Sequence, residues 1–191
     1  MRKIGAVISD FSFLDESLIN EIRNTLGDSV TRIFMKNPEV DMREEDYPSV
    51  SIYNRGMSVA KDRTAFNRFN KEILSKADLT RTVKDPPVSY NFSYQLDFWS
   101  RLQTDMNKML MLWNQKHNRQ FNLPIIGGEK DVMYSCNCMI KGGFTRADLV
   151  VGSKRLIHNI QTLRIWVEID SGNVYNEIVT KEVNVNTQTK N

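Results

Sequence analysis

The feature that most constrains this chain is an uninterrupted alternation of apolar and polar residues from Val88 to Phe98. Val, Tyr, Phe, Tyr, Leu and Phe occupy every second position, and Ser, Asn, Ser, Gln and Asp lie between them. Successive side chains of a strand point to opposite faces, so this pattern predicts a long strand with one buried face and one polar face. Pro86 and Pro87 mark its start, because proline cannot donate a hydrogen bond inside a ladder.

A helix is predicted directly after this strand. Leu102, Met106, Met109, Leu110 and Trp113 recur at helical spacing and form one apolar stripe. Basic residues at 116–119 follow, where positive charge complements the negative end of the helix dipole. The sequence therefore places an amphipathic helix next to the long strand.

An earlier helix is predicted from Leu18, Ile19, Ile22 and Leu26, which also share one face. Gly27 follows them and suits the left-handed position at which many helices end. We interpret this segment as a helix packed on a sheet.

Shorter apolar patterns predict further strands at 30–35, 48–53, 131–140 and 163–170, with a hairpin return strand at 174–185. Residues 141–154 contain several glycines and are predicted to be a loop. Strands joined by short turns favour antiparallel pairing. We therefore expect one α+β domain over residues 1–191, with a mainly antiparallel sheet and helices packed on one face.

Residues 54–87 break the pattern and are predicted to form a long inserted loop or arm. Phe66, Phe69 and Ile73 recur at helical spacing, so a short helix is predicted near 64–76. The basic residues that could contact phosphate are Arg55, Lys61, Arg63, Arg68 and Lys71. Two interpretations stay open: interleaved basic and aromatic residues could contact nucleic acid, but the pattern favours an amphipathic helix that packs its phenylalanines on a core or a neighbour.

Net charge and cysteine spacing give little support to nucleic-acid binding or to a metal site. The net charge of +3 does not by itself indicate a nucleic-acid partner. Cys136 and Cys138 are one residue apart, whereas structural zinc sites usually have two residues between cysteines, so we expect two small buried side chains. We expect no catalytic residues, no metal and no cofactor. The apolar start is too short for a signal peptide, and no membrane span is expected.

The order of these motifs resembles a known family. A Tyr-Pro-Ser-Val-Ser-Ile strand (47–52) precedes a basic loop, and Pro-Val-Ser-Tyr-Asn-Phe-Ser-Tyr-Gln-Leu-Asp-Phe-Trp-Ser (87–100) runs directly into the helix from Leu102 to Trp113. This arrangement is similar to the tail terminator and tail completion proteins of tailed bacteriophages and to their relatives in contractile injection systems. The similarity covers most of residues 11–183.

The resemblance implies a structural virion protein, assembled in the host cytoplasm and located at the junction of tail and neck. Its members form a ring, usually six-fold, that ends the tail tube and sheath and lets DNA pass without sequence-specific contacts. The arm would line this lumen or contact a neighbouring subunit. The residues expected at a subunit interface are Phe66, Phe69, Met106, Met109 and Trp113. The alternatives are a nucleic-acid-binding module that uses the arm, or another head–tail connector component.

Overall fold

The structure is a computed structural model of the chain. It describes residues 3–4, 7–8, 12–35, 43–60, 73–75, 80–84, 88–125, 134–151, 154–169 and 174–178.

Two α-helices and twelve strands lie within these described residues. The helices are α1 (Ser12–Leu26) and α2 (Gln103–Lys116). The strands are β1 (Lys3–Ile4), β2 (Val7–Ile8), β3 (Arg32–Phe34), β4 (Ser49–Val59), β5 (Ile73–Ser75), β6 (Thr80–Lys84), β7 (Val88–Ser100), β8 (Gln120–Ile125), β9 (Tyr134–Arg146), β10 (Leu149–Val151), β11 (Lys154–Ile169) and β12 (Val174–Ile178).

Strands β7 and β11 form the centre of a nine-stranded sheet. β7 pairs antiparallel with β11 along its whole length, and with β4 on its other side. β9 pairs antiparallel with the far side of β11, and β8 pairs antiparallel with β9. The parallel pairs are short and join β1 to β9, β2 to β11 and β3 to β4. The predicted α+β class with a mostly antiparallel sheet is confirmed.

Both helices contribute to one apolar core. The apolar stripe of α1 is buried through Leu14, Leu18, Ile22 and Leu26, and the helix ends before Gly27, which has the left-handed φ of 50°. From α2, the core receives Met106, Met109 and Trp113, and from β7 it receives Phe92, Tyr94, Leu96 and Phe98. Burying each large side chain contributes about 1.5–3 kcal/mol, so this core is the main stabilising feature of the fold.

The face of β7 that is predicted to be polar is buried at residues 97 and 99. Asp97 and Trp99 are 4% and 2% exposed, and they belong to a buried polar cluster with Ser51 and His158. The indole of Trp99 lies parallel to the His158 imidazole, with 3.6 Å between ring centroids. Its Nε1 donates to Ser51 Oγ at 3.1 Å, and His158 Nε2 lies 3.2 Å from Asp97 Oδ1. This end of the sheet is therefore buried on both faces.

The predicted hairpin between the last two strands is wrong. β12 pairs with β6, and β6 also pairs with β5, in a separate three-stranded antiparallel sheet. β11 has no edge left for β12, because β7 lies along one side and β9 and β2 occupy the other.

The loop predicted at 141–154 is also wrong. β9 continues to Arg146, and β11 already begins at Lys154. Lys141 pairs with Thr162 and Thr145 pairs with Ile160, so residues 142–144 lie opposite the single residue Gln161. Gly142 has a φ of 76°, which lets the strand absorb the extra residues as a bulge without ending.

The described part of the predicted arm at 54–87 is more regular than expected. β4 runs six residues beyond the predicted end at 53, to Val59, because it stays paired with β7. Residues 73–75 form β5, so the helix predicted at 64–76 does not include them, and the rest of that prediction lies outside the described residues.

Candidate functional site

Of the site residues predicted on the arm, one lies within the described residues. Arg55 lies exposed on β4. The others, Lys61, Arg63, Phe66, Phe69, Arg68 and Lys71, lie outside the described residues.

The interface predicted on α2 needs a correction. Met106, Met109 and Trp113 are each 0% exposed and belong to the apolar core of the chain, which leaves them no surface for a neighbour. The large apolar side chains that this region exposes are instead Leu102 (60%) and Met111 (53%).

The second half of β4 is an open edge segment (residues 53–59). Every residue in it is exposed, although it is hydrogen-bonded to β7 on one side. On its other side, β3 pairs only with residues 49–51, and no other described strand pairs with 53–59. Three large apolar side chains are exposed here: Tyr53 (49%), Met57 (56%) and Val59 (47%). An exposed edge of this kind is a template for pairing with another strand.

A β-bulge decides which face this segment presents. Asn54 pairs with Tyr94 and Gly56 pairs with Ser93, so Arg55 is an extra residue in β4. Gly56 has a φ of 133°, and its N–H donates to Asn54 Oδ1 at 2.8 Å. Because of this extra residue, Met57 lies opposite Phe92, on the face of β7 that carries the apolar core.

A cleft of about 870 Å³ lies on another part of the sheet, where α2 leads into β8 and where β9 bulges opposite Gln161. Its floor contains the buried residues His117 and Gln161, while Arg119 lies exposed at its rim. The full lining is Asn114, His117, Asn118, Arg119, Gln120, Met139, Ile140, Gly142, Gly143, Phe144 and Gln161.

His117 is held by groups on α1. Its Nε2 lies 3.2 Å from Glu21 Oε1 and 3.0 Å from Thr25 Oγ1. Lys116 Nζ also lies 2.9 Å from Glu21 Oε1. The hydrogen bond from His117 and the nearby Lys116 lower the pKa of Glu21 from 4.5 to about 2, although burial opposes this shift. Glu21 is therefore an ionised carboxylate that orients the imidazole.

The proton of the imidazole can be assigned from these contacts. Thr25 donates its hydroxyl proton to the main-chain oxygen of Glu21 at 2.7 Å, so Thr25 Oγ1 and Glu21 Oε1 both act as acceptors toward His117. Nε2 must then carry the hydrogen, and in the neutral ring Nδ1 keeps its lone pair. Nδ1 is buried and has no hydrogen-bond partner among the described residues.

The second polar group of the cleft floor is also oriented. Trp113 Nε1 donates to Gln161 Oε1 at 2.6 Å. Since the indole nitrogen can only donate, the carboxamide oxygen must face it, and the donor end of Gln161 is its amide nitrogen. Both side chains of the cleft floor are thus held by other buried groups, His117 by Glu21 and Gln161 by Trp113.

The cysteines behave as predicted. Cys136 and Cys138 are both buried in the apolar core, and burial raises the pKa of the Cys138 thiol. In the described part of the chain, no three His, Cys, Asp or Glu side chains are grouped as a metal site requires.

The cleft depends on residues that are far apart in the sequence. His117 and its partner Thr25 are 92 residues apart in the chain. Gly142 and Gly143 lie in the segment predicted to be a loop, whereas they belong to the bulge that borders the cleft. The one available signal was that two adjacent glycines in a run of strand residues often mark a bulge.

The fold defines the class of this protein as α+β with a mostly antiparallel sheet. No protein-family model matches the chain, and no curated protein matches it either. Within the described residues, neither helix is long and apolar enough to cross a membrane.

Proposed function

We propose that this chain is a structural subunit that assembles through its open edge segment into a closed ring, with the role of a phage tail terminator. In this proposal the ring is six-fold, ends the tail tube and sheath, joins them to the neck, and lets DNA pass through its lumen. The virion is then the location of the protein.

One observation carries the proposal: residues 53–59 are hydrogen-bonded on one side, exposed throughout, and bear Tyr53, Met57 and Val59. A strand added to this edge satisfies the outward N–H and C=O groups and covers the apolar side chains. When the added strand comes from a second copy and the contact is head to tail, repetition by rotation closes a ring. The motif order from 47 to 113 supports the same function by its resemblance to tail terminators.

Two finer points belong to this proposal. Both helices cover one face of the sheet, and the inserted segment after Val59 acts as the arm that reaches a neighbouring subunit or the DNA lumen. Arg55 lies at the base of that arm, on the open edge segment, and supplies positive charge there without reading sequence.

The test is the oligomeric state of two matched variants. Met57 and Met111 are similarly exposed, at 56% and 53%, but only Met57 lies on the open edge segment. We expect Met57→Lys to dissociate the assembly, because an edge lysine opposes strand addition, and Met111→Lys to leave it intact. Light scattering after size-exclusion chromatography measures the mass, and electron microscopy shows whether rings form. A wild-type chain that stays monomeric with its tube protein present would refute the proposal.

A further inference from the structure

The open edge segment supplies only one half of a ring contact. Two copies that paired their 53–59 segments with each other would be related by a two-fold axis, and such a contact stops at a dimer. A head-to-tail contact needs a strand from another part of the chain to add to this edge. The proposed ring therefore requires a second segment, which one copy offers to the open edge of the next.

The exposed side chains of the open edge segment define what the added strand must offer. After the bulge, Met57 and Val59 lie opposite Phe92 and Tyr90, on the face of β7 that carries the apolar core. Ser58 lies between them and belongs to the other face, because successive side chains of a strand alternate. A strand that adds here therefore needs apolar or β-branched side chains at alternate positions, and uncharged polar ones between them.

A stretch near the end of the sequence has this pattern, and we call it the donor segment (residues 183–189). Its β-branched residues alternate with carboxamides: Val183, Val185, Thr187 and Thr189 with Asn184, Asn186 and Gln188. β-branched residues favour strands. The segment contains no charge and no proline, the residues with which natural edge strands prevent pairing. It lies outside the described residues, and it has the same length as the open edge segment.

The other long stretch outside the described residues, 61–72, lacks the pattern. Six of its twelve residues are charged, and Phe66 and Phe69 are three positions apart instead of two. Charged side chains on an edge oppose strand pairing. The arm therefore matches the open edge segment less well than the donor segment does.

The path of the chain favours a neighbouring copy as the recipient. β12 pairs antiparallel with β6 in the three-stranded sheet, with Val174 opposite Lys84 and Ile178 opposite Thr80. Lys84 is the end of β6 that leads into β7, so the chain leaves β12 at the end farther from β7 along the strands. The link from Ile178 to the donor segment spans at most about 18 Å, which places the recipient edge close to the three-stranded sheet.

We propose that the donor segment of one copy adds as a strand to the open edge segment of the next copy. Its main chain pairs with the outward N–H and C=O groups of 53–59, and its β-branched side chains cover Met57 and Val59. Each copy donates one strand and receives one, so repetition about a rotation axis closes the ring. This assignment rests on the proposed function, because it names the contact that forms the ring.

Disulfide cross-linking in the full chain tests the assignment. Met57→Cys is combined, in separate double variants, with a cysteine substitution at each position of the donor segment, and the assembled protein is oxidised. A disulfide needs Cβ atoms about 3.5–4.5 Å apart, a distance reached by residues that lie opposite each other on one face of paired strands. We expect a ladder of covalent oligomers whose yield peaks at one of Val183→Cys, Val185→Cys, Thr187→Cys or Thr189→Cys. The ladder should be lost with Asn184→Cys, Asn186→Cys and Gln188→Cys, which belong to the other face.

The matched control replaces Met57→Cys by Met111→Cys, because Met111 is similarly exposed but lies on α2. No ladder is expected from it with any cysteine in the donor segment. The native Cys136 and Cys138 are buried and are the same in every variant. A second measurement uses the double substitution Val183→Lys and Val185→Lys, which should dissociate the assembly as Met57→Lys does.

Three results would overturn the assignment and leave the proposed ring in place. Rings might assemble with no cross-link between position 57 and the donor segment, or stay intact when Val183 and Val185 are both changed to lysine. A cross-linked product of monomer mass would show that the donor segment adds to the edge of its own chain. Failure of the wild-type chain to assemble would instead refute the ring itself, so the two failures are distinguishable.

Discussion

At the scale of residues, the two histidines show how much depends on partners that are distant in sequence. His117 is oriented by Glu21 and Thr25 from α1, and His158 is placed by Asp97 and Trp99 from β7. Neither histidine belongs to a recognisable motif. Both are nevertheless buried against a carboxylate. Burial removes the imidazole from water, and its hydrogen bond to the charged carboxylate compensates for the lost hydration.

Glu21 should make the stability of the protein sensitive to acid. Its pKa is lowered from 4.5 to about 2, so its contribution is complete above pH 4.5 and is lost as the pH falls toward 2. We expect Glu21→Gln to lower the free energy of unfolding near neutral pH by about 2 kcal/mol, with a difference from wild type that shrinks in acid. Urea unfolding at several pH values measures this.

Glu16 provides the control for that experiment, since it is an exposed carboxylate on the same helix. Glu16→Gln should change the free energy of unfolding by less than about 0.5 kcal/mol. A Glu21→Gln effect that is equally large at every pH would show that the charge of Glu21 is not what stabilises the protein.

Gly56 should tolerate no side chain. Its φ of 133° lies in a region that is essentially restricted to glycine, although there is space around it for a Cβ. We expect Gly56→Ala to destabilise the protein by about 1–3 kcal/mol in thermal unfolding. Gly143 also has open space for a Cβ and lacks the positive φ, so Gly143→Ala should leave the stability nearly unchanged. Equal effects of the two substitutions would contradict a conformational role for Gly56.

At the scale of elements, β7 is central because it contributes buried side chains to both faces of the sheet, the apolar core on one and the polar cluster on the other. Its even-numbered residues from Phe92 to Phe98 enter the apolar core, while Asp97 and Trp99 enter the polar cluster on the other face. Hydrogen bonds to β4 and β11 on both sides hold the strand in register. A change on either face should therefore destabilise the whole fold.

Substitution of Asp97 tests this prediction of destabilisation for the polar face of β7. His158 Nε2 and Gln95 Nε2 both lie within hydrogen-bonding distance of its Oδ1, at 3.2 and 2.7 Å. We expect Asp97→Ala to cost about 2–4 kcal/mol in urea unfolding, because the buried His158 and the half-buried Gln95 lose their hydrogen-bond acceptor. Asp97→Asn keeps an acceptor oxygen and should cost less. Equal losses would mean that these hydrogen bonds do not stabilise the cluster.

At the scale of the whole molecule, protection from hydrogen exchange should follow the position of each strand in the sheet. Amides of β7 are flanked by strands on both sides and should exchange only on global unfolding. Outward amides of residues 53–59 have no described strand beside them and should exchange much faster in the monomer. If the ring forms through this edge, their exchange should slow on assembly.

Mass spectrometry of deuterium uptake, before and after assembly, measures that change. Residues 102–113 serve as the internal control, since α2 is not on the open edge and its uptake should stay constant. Assembly that slows exchange elsewhere, and leaves residues 53–59 unchanged, would place the contact on another surface.

The amino-acid sequence by itself determined the elements whose signal is local. α1, β7 and the helix after β7 were predictable because the periods of 3.6 and 2 decide which side chains share a face. The α+β class followed from their order. The burial of Cys136 and Cys138 was also predictable, because alternate positions of one strand share its environment.

Only the tertiary structure decided what depends on contacts between distant residues. β12 pairs with β6 because both sides of β11 are occupied. The bulge at Arg55 places Met57 on the core face, and the bulge opposite Gln161 borders the cleft. Pairing in a sheet is settled by competition among all strands, and a single extra residue reverses which face a side chain occupies, so hydrophobic periodicity alone does not determine these features.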